Sequence, residues 1–155
     1  MTDGLVNIAP ASVEIIEGDG TSPTQIGTDN LRTSIEQSGA VLLRGFATTI
    51  DCFAALGEAL CQTGVANESP NRETFNQNAS VQSVNLGNQS FPLHPELARE
   101  PWRPDLAMFG CFTPPSAGGQ TNVCDGIAIV ENLPNDLRRT LADRELTYIR
   151  PASPE

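Results

Sequence analysis

The run from Gly39 to Phe46, with the apolar residues Ala40, Val41, Leu42 and Leu43 in succession, constrains the fold more than any other part of the chain. It is too short for a stable helix and nearly continuous in hydrophobicity, the pattern of a strand buried on both faces. Helix signals bracket it. Upstream, Thr28-Asp29-Asn30 offers an N-cap, Leu31 and Ile35 lie four apart on one helical face, and Gly39 is placed to end the helix. Downstream, Thr48 can cap a second helix, with Asp51 three residues on in a capping-box-like arrangement. Phe53, Leu56 and Leu60 form its apolar stripe, and Gly64 is expected to stop it. Residues 1–27 are rich in Gly, Thr, Ser and Pro, and Val13–Ile16 reads as an edge strand.

The character changes after Thr63. Asn67, Asn71, Asn76, Asn78, Asn85 and Asn88 dominate a long polar stretch with one expected strand at Val81–Leu86. Leu106–Phe112 reads as a core strand that ends in the turn Thr113–Gly119, and Thr121–Cys124 can return as another. Asn135 and Asp136 can start a helix carrying Leu137 and Leu141, and Glu145–Arg150 reads as a last strand. Twelve prolines and thirteen glycines agree with many turns and short strands. The order is α+β, with strands accumulating late, and suits a partial double-stranded β-helix (jelly-roll) with N-terminal helices. A jelly-roll needs eight strands, and too few follow His94. The sheet would be left open, so either the natural chain is longer or another chain, a homo-oligomeric copy or a complementing subunit, completes it.

Composition excludes several function classes. The formal net charge is −10, and all nine basic residues are arginines, so no clustered positive surface exists for nucleic acid. No stretch approaches the length of a membrane span, and the first residues lack the basic and apolar regions of a signal peptide. A cytoplasmic protein is expected. Cys52, Cys61, Cys111 and Cys124 are irregularly spaced and read as reduced thiols rather than a zinc site.

The chain has one histidine, His94, in the segment Phe91-Pro-Leu-His-Pro-Glu96. On an extended backbone, side chains two apart share a face, so His94 and Glu96 can grip the same ion. They would supply two corners of a 2-His-1-carboxylate triad, which leaves three octahedral positions open on iron(II). Two of these suit a bidentate 2-oxo acid and one suits dioxygen. Alone, such a tripeptide is more often a surface histidine in a Pro-rich turn.

Taken together the segments resemble the taurine dioxygenase/clavaminate synthase-like superfamily of iron(II)/2-oxoglutarate-dependent oxygenases. Gly39–Phe46 is similar to the family's early buried strand between two helices. Phe91–Leu97 resembles its metal motif, and Trp102-Arg-Pro104 a common follow-on. Thr113–Thr121 looks like its Pro-x-x-Gly-Gly-x-Thr turn, and Asp125 and Asn132-Leu-Pro134 continue the match. The resemblance covers the chain from about residue 28, which divides it into a 1–27 N-terminal segment and a 28–155 incomplete oxygenase domain.

The resemblance implies that His94 and Glu96 ligate Fe(II), and that Thr121 donates its hydroxyl to the carboxylate of 2-oxoglutarate, although Thr121 also reads as an ordinary β-branched strand residue. Asp125 reads as a helix cap before a catalytic acid, Trp102 as packing, and Arg44 as a structural cation. Glu96 fills the position that related halogenases leave without a carboxylate, which favours hydroxylation or another oxidation with dioxygen as co-substrate. Glutamate rather than aspartate there resembles the clavaminate synthase-like branch and hydroxylases of amino acids, which implies a small, amino-acid-like substrate. The family's distal histidine and its 2-oxoglutarate-binding arginine have no counterpart here. A non-catalytic half-domain, acting as an interaction or regulatory subunit, is therefore the alternative.

Overall fold

The computed structural model describes residues 12–67, 69, 72–78, 80–84, 91–98, 100–145 and 147–149. Its centre is a parallel pair, β1 (Val13–Glu17) and β2 (Ala40–Arg44), in the register Ile15↔Leu42 and Ile16↔Leu43. Between them run α1 (Pro23–Ile26, a 3₁₀ turn) and α2 (Thr28–Ser38). After β2 comes α3 (Ile50–Leu60).

The C-terminal end of α2 follows its sequence: Gly39 adopts the left-handed conformation (φ 75°) that lets its N–H close on the carbonyl of Ile35. The N-cap falls on Gly27 rather than within Thr28-Asp29-Asn30, which lie inside the helix, and no side chain caps it. Helix α3 differs by one residue from expectation. Thr49, not Thr48, is the cap, its hydroxyl accepting from the Cys52 N–H at 3.1 Å, while the Thr48 hydroxyl donates to the Phe46 carbonyl. The reciprocal capping-box position then falls on Cys52, and Asp51 acts only as an anion in the first turn. The helix stops at Cys61, three residues before Gly64, because Cys61 takes an extended backbone (φ −121°, ψ 140°).

Leu31 from α2 and Leu56 and Leu60 from α3 form the core, each under one-tenth exposed, with Ile16, Ile26, Ile35, Val41 and Leu43 packed around them. Burial of a leucine of this kind contributes roughly 1.5–3 kcal/mol. Arg32 of α2 adds a polar tie: its guanidinium donates at 2.8 Å to the carbonyl of Leu60, in the last turn of α3. That carbonyl has no partner inside its own helix, so the bond both satisfies it and sets a cation at the negative end of the helix dipole.

The strand Ala40–Arg44 is covered on one face rather than two. Val41 and Leu43 face the helices, while Leu42 is 40% exposed on the other side, beside Ile15 at 52% and Val13 at 38%. The continuous apolar run is that of a doubly covered strand, but the described residues supply only one cover.

A second sheet joins β3 (Thr74–Asn76) and β4 (Val81–Gln82), antiparallel with an irregular register. The strand expected at Val81–Leu86 survives as these first two residues, and residues 85 and 86 lie outside the described ones. Leu106–Phe112 runs without a ladder partner among the described residues. Its side chains nevertheless alternate as a strand's would: Leu106 and Met108 pack on the core, and Phe109 is 55% exposed. Phe112 closes edge-on against Phe53 of α3, with ring centroids 5.9 Å apart. Thr121–Cys124 is exposed and unpaired in the same sense, and the described residues of the segment expected at Glu145–Arg150 form no strand, residues 146 and 150 lying outside them.

Two short helices complete the architecture, α4 (Gly126–Glu131) and α5 (Asn135–Ala142). Asp125 is the cap of α4, its carboxylate accepting from the N–H groups of Ile127 and Ala128. The class is thus mixed α+β, but no double-stranded β-helix forms among the described residues. Other strand-like segments are present, and among the described residues no ladder partners meet them.

Candidate metal centre

The segment around His94 is built to keep the backbone out of a helix. Pro92 and Pro95 fix their own φ and bias the preceding residues Phe91 and His94 toward extended conformations. Residues 96–98 then form a turn in which Leu97 has φ 55°, an uncommon conformation for a residue with a side chain. Such outliers are concentrated at binding sites and switch regions.

His94 and Glu96 come together as their spacing requires. The His94 Nε2 lies 3.9 Å from the Glu96 Oε1, with the two side chains 43% and 32% exposed. The other ring nitrogen, Nδ1, is 2.8 Å from the carbonyl oxygen of Pro92. A carbonyl only accepts, so this bond calls for a proton on Nδ1, and in the neutral ring the Nε2 lone pair then faces the Glu96 carboxylate. Either a proton on Nε2 or a metal cation between the two groups satisfies that arrangement. Metal-bound histidines show the same arrangement, with the remote N–H given to a backbone carbonyl.

His94 through a ring nitrogen and Glu96 through a carboxylate oxygen would hold such an ion between them. The donor set, one neutral imidazole and one carboxylate, suits iron(II). Among the described residues no group of three or more His, Cys, Asp or Glu side chains is gathered as a metal cage. His94 and Glu96 thus offer two donors, with no third His, Cys, Asp or Glu gathered beside them among the described residues.

Thr121 stands apart from this pair. It is exposed, two residues after the double glycine Gly118–Gly119, both with φ 71°, and no hydrogen bond among the described residues joins it to His94 or Glu96. The four cysteines are free thiols. No helix among the described residues is long and apolar enough to cross a membrane.

Reasoning from the sequence missed the two residues that orient the histidine. Phe91 lies edge-to-face on the His94 ring, with centroids 4.7 Å apart and planes at 78°, and Pro92 contributes its carbonyl. The proximity of Phe91, three positions before the histidine, was the available signal. The left-handed turn at Leu97 left no signal, because leucine does not favour it.

The sequence model of the family described as "Taurine catabolism dioxygenase TauD, TfdA family" matches residues 6–155. The chain belongs to that family, which is one of dioxygenase-type enzymes dependent on Fe(II) and 2-oxoglutarate. Comparison with curated proteins and with solved structures gave no match.

Proposed function

We propose that this chain carries the first part of an Fe(II)/2-oxoglutarate-dependent hydroxylase site, with His94 and Glu96 as two iron ligands and Thr121 as a 2-oxoglutarate contact. The observation that carries the reading is the His94 Nε2 turned toward Glu96 while Nδ1 meets the Pro92 carbonyl, within a chain of the family. Iron(II) with 2-oxoglutarate, when bound, supplies the oxidising chemistry by which dioxygen attacks an unactivated C–H bond.

The chain's own residues have simpler tasks. His94 offers a neutral nitrogen donor, Glu96 an anionic oxygen donor, and Pro92 keeps the remaining imidazole proton on Nδ1. Thr121 donates its hydroxyl to the carboxylate of the 2-oxo acid, in the domain read as residues 28–155. Residues 1–27 lend β1 to its sheet. The substrate is small and amino-acid-like, as Glu96 in the ligand position favours. The sequence holds one histidine, so a second imidazole for such a site is not among its residues.

The outward apolar residues Val13, Ile15 and Leu42 favour a second reading, a half-domain whose role is to pair with another subunit. An anaerobic titration with Fe(II) and 2-oxoglutarate tests the first reading. A visible charge-transfer band that is lost in His94→Ala and weakened in Thr121→Ala supports it. Tight metal-independent dimerisation, with no such band in the dimer, supports the second.

A further inference from the structure

A phenylalanine 68% exposed to water gains little from burial, yet the Phe91 ring is held against the imidazole of His94 at 4.7 Å. Edge-to-face rings attract through their quadrupoles, and the contact also blocks motion. The motion that matters is a half-turn of the imidazole about its Cβ–Cγ bond. That flip exchanges Nδ1 with a ring carbon, removes the hydrogen bond to Pro92 and turns Nε2 away from Glu96.

We propose that Phe91 is a positioning residue for His94: by bracing the imidazole against the Pro92 carbonyl it fixes the Nδ1–H tautomer and keeps the Nε2 lone pair aimed at Glu96. The inference rests on the reading of His94 as an iron ligand for its purpose, but not for its geometry. Both contacts come from residues two and three positions upstream, so the brace is local. Phe91 itself touches no metal or substrate in this account.

The single histidine makes the test clean. Nitrogen-15 NMR of the histidine-labelled, metal-free chain, with the imidazole neutral, reports one ring and its tautomer. The wild-type chain is expected to show a protonated Nδ1 and a bare Nε2. Phe91→Leu, at an exposed position where folding is not at stake, is expected to give a mixture of tautomers and about a tenfold weaker Fe(II) affinity, the low end of the usual effect of ligand-supporting residues. Phe91→Tyr keeps the ring and is expected to restore both.

An unchanged tautomer together with unchanged Fe(II) affinity in Phe91→Leu overturns the proposal, as does a wild-type ring protonated on Nε2. Should the wild-type chain take up no Fe(II) while Phe91→Leu still mixes the tautomers, the brace stands and the iron reading falls.

Discussion

The ring of Phe46 lies where a side chain on residue 18 would begin: a Cβ at Gly18 would stand 2.6 Å from the Phe46 Cδ1. Gly18 also donates its N–H to the Arg44 carbonyl at 2.7 Å, which extends the β1–β2 pairing just as both strands leave the sheet. Glycine is required at residue 18 by this close approach. Gly18→Ala is expected to destabilise the chain by roughly 1–3 kcal/mol, the usual cost of overpacking. Urea denaturation measures it, and the cost should largely vanish in a Phe46→Ala background, where the space is open.

The core predicts a contrast between two leucines. Leu56, 5% exposed between α2 and the sheet, should lose about 2–5 kcal/mol on replacement by alanine. Leu141 sits on the apolar stripe of α5 but is 53% exposed, so Leu141→Ala should change stability by about 0.5 kcal/mol or less. Equal losses in thermal denaturation would mean that α5 is covered in solution.

Arg32 links α2 to the end of α3 through the Leu60 carbonyl. Arg32→Met keeps much of the aliphatic stem and deletes the charged donor, so a loss of about 1 kcal/mol is expected. Added salt should leave most of that loss in place, because the bond is a direct one to a helix carbonyl; a difference that disappears in salt would point to long-range charge alone.

The pH dependence has one assignable contributor. The side chain and backbone N–H of Thr21 bond the Asp19 carboxylate and hold it below its ordinary value of 3.8. Because the folded-state value is the lower one, this contribution is complete above the unfolded-state value and is lost as pH falls through the folded one. Carbon-13 NMR of the Asp19 carboxyl should titrate below 3.8 in the folded chain, and Thr21→Val should move it back upward. A group this exposed contributes little to total stability, so the titration itself is the readout.

How far the fold could be read depended on whether a signal was local. The helices at Thr28–Ser38 and Ile50–Leu60 were legible because their apolar periodicity and the Gly39 stop are local, while the caps at Gly27 and Thr49 and the stop at Cys61 fell beside the expected residues. The alternation of Leu106 and Met108 was legible too, but a strand also requires a neighbour, and sequence pattern does not name one. The same limit explains Ala40–Arg44, whose composition fits two covers where one is found. At the candidate centre the pairing of His94 with Glu96 followed from period-two spacing. The Phe91 ring was signalled only by its place three residues before His94, and the Pro92 carbonyl not at all, since both contacts depend on how the backbone curls between two prolines.

The central claim is that His94 and Glu96 bind one iron(II) ion together. Anaerobic calorimetric titration of the chain with Fe(II), beside His94→Ala and Glu96→Ala, tests it most directly. The account predicts a single site in the wild-type chain that weakens by more than about tenfold in each variant, a larger effect than losing a supporting residue. Binding that is unchanged in either variant, or absent from the wild-type chain, would contradict it.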